Sequence, residues 1–336
     1  MGTTARDQRL HPSTLDELSE QDVLRRIFPR LPSASAALLG PGDDAAVLAA
    51  PDGRYVVTTD MMIHGPDFRL AWSSPRDLGW KAAATNLADV AAMGAVPIGL
   101  VVAIAAPRQL DVSVLEGIAD GLAEGCNALA PGCGVVGGDL SVSSVLTLAV
   151  TAFGDMEGRA PVLRSGAHVG DIVALSGALG QAAAGLRVLF SSVVDPATGQ
   201  PDPTRLPDAK RTHGAIIDAQ LRPRPPISDG RLAAMSGATA MMDVSDGLVL
   251  DARRLAHASQ VAVNFDSRLL GPDLLGALTG GEDHSLLATF PRGTELPGGF
   301  RALGQVQAGS GVCVDGEPFT NRGGWDPYQE WDGHAD

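Results

Sequence analysis

Six aspartates occupy positions where carboxylates do chemistry. Asp44 closes the glycine-rich turn Gly40-Pro-Gly-Asp-Asp44, and Asp60 ends the apolar run Val56-Val-Thr-Thr-Asp60 beside two hydroxyls. Asp89 recurs four residues after Thr85 and eight after Lys81, the spacing of one polar stripe along a helix. Asp139 ends Val135-Val-Gly-Gly-Asp139, while Asp243 and Asp246 flank Ser245 in Ala240-Met-Met-Asp-Val-Ser-Asp-Gly247. Any one of these acids has a plain reading, as a turn cap or part of a solvated face. Brought together without neutralising charge, they would repel one another. An all-oxygen donor set suits Mg²⁺, Mn²⁺ or Ca²⁺ rather than zinc, and there is no histidine cluster. Several Mg²⁺ ions held by acids fit phosphoryl transfer, in which charge neutralisation and positioning supply most of the catalysis.

Familiar nucleotide and nucleophile motifs do not account for the chain. It has no G-x-x-x-x-G-K-[ST] loop and no kinase-type H-R-D or D-F-G. Gly132-Cys-Gly-Val-Val-Gly137 matches G-x-G-x-x-G, but a helix precedes it and a strand follows, the reverse of a dinucleotide site. Ser245 is the serine of an x-S-x-G fragment, but Asp243 stands before it where a nucleophile elbow needs glycine.

The elements that must position these acids are legible in outline. Ser74-Pro75-Arg-Asp77 predicts a helix start, with Ser as N-cap and Pro at the first turn, and Gly94 predicts its end. Leu87, Val90 and Ala91 supply its apolar side. Strands are expected at 56–60, 97–106, 145–153, 171–176 and 240–243, and helices at 111–130, 181–190, 213–221 and 248–259. The free N–H groups at the start of the last helix suit phosphate. Residues 193–212 carry four prolines among polar residues and read as a mobile surface insertion. A division is expected near residue 155, giving an α/β unit (1–155) and an α+β unit (156–336). Thr279-Gly-Gly-Glu-Asp-His284 is a further glycine-acid turn. In the tail, Trp325, Tyr328 and Trp331 form an aromatic group that either docks the terminus on the body or stacks on a flat heteroaromatic ligand.

The 336 residues are 45% hydrophobic, enough for a sizeable core, and carry a net charge of −14. That charge disfavours nucleic acid as a partner, because phosphate backbones are bound by basic patches. The three cysteines (Cys126, Cys133, Cys313) lack C-x-x-C spacing, which favours reduced thiols in the cytoplasm. The longest apolar run, 96–107, is too short to span a bilayer. Lysine occurs only at Lys81 and Lys210, a pattern that reads as codon bias toward arginine.

Taken in order, Gly42-Asp-Asp-Ala-Ala46, Thr58-Thr-Asp60, Asn86-Leu-Ala-Asp89 with Ala91-Ala-Met-Gly94, Gly137-Gly-Asp139, Arg164-Ser-Gly166, Asp243-Val-Ser-Asp-Gly247 and Gly280-Gly-Glu-Asp283 resemble the thiamine-monophosphate kinase family. They span roughly residues 38–331. The wider superfamily, with aminoimidazole ribonucleotide synthetase and selenophosphate synthetase, shares the acid-rich plan but not this set. The resemblance implies a two-domain, aminoimidazole ribonucleotide synthetase-like fold whose N-terminal sheet pairs across a homodimer. It implies ATP-dependent phosphorylation of thiamine phosphate to thiamine diphosphate with several Mg²⁺ ions. It assigns Asp44, Thr58, Thr59, Asp60, Asp89, Asp139, Asp243 and Asp246 to metal, and Gly138, Asp139, Arg164 and Ser245 to ATP. Glu282 and Trp325 fall to the thiamine moiety, as does Asp67, which stands where the family usually carries a histidine before Phe-Arg. No enzyme nucleophile or general base is implied. Two alternatives stay open: another ATP-dependent small-molecule enzyme of the superfamily, and a non-catalytic nucleotide-binding homologue.

Overall fold

The computed structural model describes residues 14–41 and 45–324. Asp44 and Trp325 therefore lie outside the described residues, as does the rest of the aromatic tail. Helix α1 (Glu20–Ile27) is capped by Ser19, whose hydroxyl accepts from Asp22 N. Strands β1 (Ala37–Leu39) and β2 (Val47–Leu48) form a small antiparallel pair.

A four-stranded sheet follows, built from β3 (Val56–Ile63), β4 (Val96–Ala106), β5 (Val135–Val142) and β6 (Thr147–Asp155) in the order β3-β6-β4-β5. Only β4 and β5 run parallel. Their connection is α3 (Val112–Leu129), and β3 reaches β4 through α2 (Pro75–Ala92). Burial in β6 alternates with period two, so Leu148, Val150 and Ala152 face the helices and their neighbours face away. Helix α2 starts as its sequence predicts. Ser74 Oγ accepts from Asp77 N at 3.2 Å, and Asp77 Oδ2 accepts from Ser74 N at 3.0 Å. Gly79 and Gly121 let α2 and α3 touch backbone to backbone: a Cβ on Gly79 would sit 2.0 Å from Ile118 O.

The second sheet takes seven strands from β7 (Ile172–Ser176) onward: β8 (Ala240–Val244), β9 (Ala262–Phe265), β10 (Ser285–Phe290), β11 (Arg301–Gln307), β12 (Gly311–Val314) and β13 (Glu317–Pro318), ordered β13-β12-β9-β11-β7-β10-β8. Between them run α4 (Gln181–Ser192), α5 (Leu206–Leu221), α6 (Ile227–Met235), α7 (Leu248–Ser259) and α8 (Leu274–Thr279).

Two expectations change here. The spacing of Lys81, Thr85 and Asp89 gives α2 one polar stripe, with a solvated face as its plain reading, yet Lys81 and Thr85 are buried and Asp89 is half-buried. The cause is that α2 lies between both sheets. Leu78, Leu87 and Ala88 share one core with Leu100 and Leu148 of the first sheet and with Met241, Leu286 and Phe290 of the second. The polar stripe therefore turns inward between the sheets rather than out to solvent. Residues 193–212 are also more ordered than their prolines imply. Helix α5 begins at Leu206 and bends at His213 (φ −127°), so the helix expected from 213 is its second half. Val193 is buried with Trp72, Leu189 and Ile217, and Trp72 Nε1 donates to Val193 O at 3.1 Å. That bond fastens the 64–73 loop, which carries Asp67, to the residue that ends the Gln181–Ser192 helix.

Candidate active site

The alternation of β3 turns Thr58 and Asp60 toward α2. Thr58 Oγ1 donates to Asp89 Oδ2 at 2.8 Å, joining strand to helix. From the second sheet, Asp243 on β8 lies within electrostatic reach of both acids. Burial, then Asp243 and Asp60, push the Asp89 carboxyl up to about 7, against the Thr58 hydrogen bond. Asp60 is open to solvent at the cleft mouth, yet enough protein surrounds it that burial raises its carboxyl. Asp243 and Asp246 add to that rise, and His284 opposes it. The structure thus brings Asp60, Asp89, Asp243 and Asp246 into one cleft between the two sheets.

Two turns form the far wall. The 245–247 turn and the 279–284 turn interlock: Glu282 N donates to Ser245 O at 2.8 Å and His284 N to Val244 O at 3.1 Å. Gly281 makes this approach possible, since a Cβ there would stand 2.4 Å from Ser245 O. Glu282 (φ 71°) and His284 (φ 51°) are both left-handed, a conformation that non-glycine residues hold only where their surroundings impose it. Asp283 caps α4, accepting from Ala182 N at 2.9 Å and Gln181 N at 3.2 Å. It takes the role that Gly180 at the N-cap cannot fill.

Glu282 meets the buried ammonium of Lys81, reaching across from α2. Burial pulls the Glu282 carboxyl upward, but Lys81 and His284 outweigh it and leave it lowered. Asp67 faces the same pair. Burial raises it, its hydrogen bond from Ile63 N (2.7 Å) lowers it, and Glu282 raises it again. Asp67 and Glu282, expected to meet the substrate, therefore lie together beside the acid cluster.

Three further residues belong to the cleft wall. His284 Nδ1 approaches Asp243 Oδ2 at 3.4 Å, and its Nε2 is buried without a partner among the described residues. Burial lowers the His284 pKa, but Asp243 and Glu282 more than reverse that and leave it raised. Asp251, fully buried at the start of α7, accepts from Asp246 N at 3.0 Å, and Arg254 bridges Asp246 and Asp251 at 2.6 Å each. Burial, with Asp246 and Asp243 near, pushes Asp251 up to about 7. An acid in the first turn of a predicted helix, followed three residues later by Arg, was a usable signal for this pair. Nothing in the sequence marks the partner of His284.

Other expected residues lie apart. Asp139 pairs with Ala103, Ala103 with Ala149 and Ala149 with Met61, so this row faces away from α2. Thr59 shares that face, bonded to Thr151 Oγ1 at 3.1 Å and to Val150 O at 3.0 Å. Within one chain, neither joins the acid cluster. Gly138 has a packing reason of its own, because a Cβ would fall 2.0 Å from Val102 O. Arg164 is exposed, and its carbonyl accepts from Ser259 Oγ at 2.7 Å. Ser245 is half-buried and contributes its carbonyl to the Glu282 turn. Among the described residues no group of three or more His, Cys, Asp and Glu is arranged to hold a metal ion by itself. No described helix is long and apolar enough to cross a membrane.

Residues 42–156 match the family model for the AIR synthase related protein, N-terminal domain. Over 335 residues the chain is 40% identical to the thiamine-monophosphate kinase of Mycobacterium tuberculosis, covering 95% of this chain and 94% of that protein. The chain belongs to the thiamine-monophosphate kinase family. Among solved structures, one described as AaThiL complexed with AMPPCP and TMP is 33% identical with a TM-score of 0.69, covering 84% of this chain and 90% of that one. The thiamine-monophosphate kinase of Stenotrophomonas maltophilia K279a is 31% identical with a TM-score of 0.72, covering 92% and 99%. The two-sheet architecture is thus the fold of this kinase family, as the sequence motifs implied.

Proposed function

We propose that this protein transfers the γ-phosphoryl group of ATP directly to a phosphate oxygen of thiamine phosphate, forming thiamine diphosphate. The observation that carries this reading is the meeting of Asp60 and Asp89 from the first unit with Asp243 and Asp246 from the second, beside Asp67 and Glu282. It is supported by the family membership and by the relative bound to AMPPCP and TMP. A phosphate monoester is already largely anionic at neutral pH, its second pKa being about 6. The acceptor therefore needs no general base.

The acid cluster fits divalent cations in its chemistry. Its donors are all oxygen, and burial and mutual repulsion raise both Asp60 and Asp89, a cost that positive charge relieves. We assign Asp60, Asp89, Asp243 and Asp246 to this role, with Thr58 orienting Asp89, and Asp44, Thr59 and Asp139 as further candidates. When bound, Mg²⁺ would screen the repulsion between two polyanionic substrates. Asp67 and Glu282 present carboxylates suited to the thiazolium cation, and Gly138, Arg164, Ser245 and Trp325 are candidates for ATP and substrate contacts. We further propose units 1–155 and 156–336, and a homodimer through the outer face of the first sheet. Val57 and Met61 stand 57% and 59% exposed on that face.

The test is a kinase assay with ATP, Mg²⁺ and thiamine phosphate, following thiamine diphosphate chromatographically. Mg²⁺-dependent product is the expected outcome. ADP release without thiamine diphosphate points to another acceptor, and no turnover overturns the enzyme reading.

A further inference from the structure

In a chain that otherwise uses arginine, one of only two lysines is buried on the central helix. Lys210 sits at the surface with Asp218 at 3.0 Å. Lys81 has 8% of its side chain exposed and is followed on α2 by Ala82, Ala83 and Ala84, all fully buried. A compact ammonium fits such a packed position, whereas a planar guanidinium needs more width and a fork of acceptors. Its acceptors are few and fixed. The Gln220 amide is satisfied with its nitrogen on Ala182 O (3.0 Å) and its oxygen on Lys81 Nζ (3.2 Å), leaving Glu282 as the charged partner.

The pair is asymmetric. The ammonium is enclosed, while the Glu282 side chain is 40% exposed in the cleft. An ion pair serving only the core would bury both partners, and such pairs add little stability over apolar packing. Here the buried member comes from the first unit. The open member sits on a left-handed backbone whose N–H is tied to Ser245 O. Lys81 also offsets part of the charge of Asp67 and Glu282, which line this side of the cleft.

We propose that Lys81 is a positioning residue for substrate specificity: it fixes the direction of Glu282 and offsets part of the charge of the Asp67–Glu282 wall, which faces a singly charged heteroaromatic cation. This rests on the thiamine phosphate reading above and deepens it. Lys81 acts through Glu282 and does not itself touch the reacting phosphates.

The experiment is a double-mutant cycle of Lys81→Met, Glu282→Gln and the combined variant, with separate KM values for thiamine phosphate and ATP, and melting curves for each protein. Lys81→Met should raise KM for thiamine phosphate about tenfold or more and move that for ATP by less than about twofold. The combined variant should be no worse than Glu282→Gln alone, because the second loss has nothing left to act through. Lys81→Arg should not rescue. Additive effects, equal changes in both KM values, or a fall in Tm with unchanged KM overturn the proposal. If Lys81→Met does not fold, Lys81→Gln, which keeps a donor for Gln220, takes its place under the same criteria. Wild-type protein that does not phosphorylate thiamine phosphate overturns the substrate reading and this proposal together. An active wild type with an additive cycle overturns this one alone.

Discussion

At Asp60 a carboxylate stands at the cleft mouth with Asp89 and Asp243 behind it, and no packing duty explains its presence. Asp60→Asn is expected to lower turnover by about 10²–10³-fold or more at saturating Mg²⁺ while leaving the circular dichroism spectrum unchanged. Near-wild-type rates would remove it from the cation site. Asp89 makes a different, pH-dependent contribution. Its folded pKa of about 7 lies above the ordinary value of 3.8, so the unfolded chain sheds this proton first as pH rises. Below that ordinary value the group is neutral in both states; between there and about 7 the folded state progressively loses stability, and the loss is complete above. In metal-free protein, Asp89→Asn should therefore raise Tm at pH 8, by on the order of 1 kcal/mol or a few degrees. It should change little near pH 4, and added Mg²⁺ with ATP should shrink or reverse the gain at pH 8. A constant Tm difference across pH would rule this out. The acids that met were readable because each ended an apolar run or sat at helical spacing. Asp139 and Thr59 fell on the other sheet face because side chains alternate along a strand, a rule that already separates Thr59 from Thr58 and Asp60. Asp251 and Arg254 had a local signal in their three-residue spacing, whereas the role of His284 is set by its tertiary partner Asp243, which one sequence does not display.

Among the elements, α2 and α5 show where local signals stop. The start of α2 was legible to the residue, because Ser74, Pro75 and Asp77 act within one turn. The burial of nearly all its length was not, since the second layer comes from strands far along the chain. In the 193–205 segment, prolines and polar residues describe the surface correctly but not the anchors beneath it. Val194 and Leu206 pack beside the Trp72 cluster, while Ala197–Gly199 project outward. Removing 197–199 should leave KM and kcat within about twofold, because closing a shorter surface loop costs little. Extending the deletion through Pro207 removes the first turn of α5 and loosens the floor under Trp72. That longer deletion should lower Tm and raise KM for thiamine phosphate through the 64–73 loop. Equal tolerance of both deletions would show that the Trp72 anchor is dispensable.

For the molecule as a whole, the outer face of the first sheet is the surface to test. Sedimentation at micromolar concentration should give a dimer, and Met61→Lys should shift it toward monomer; wild-type protein that sediments only as a monomer would end the proposal. The composition and motif order carried the two-sheet family fold, whereas the core that both sheets share across α2 emerged only from the structure. That shared core bears on how the protein is made. Helix α2 ends at Ala92, but β10, one of the strands that covers it, begins at Ser285. On a ribosome adding about 5–20 residues per second, α2 waits roughly 10–40 s for that cover. During that interval its alanine- and leucine-rich back is open to any other nascent chain. A truncated product ending near residue 155 would keep that surface uncovered, making premature termination an event that exposes this protein to aggregation.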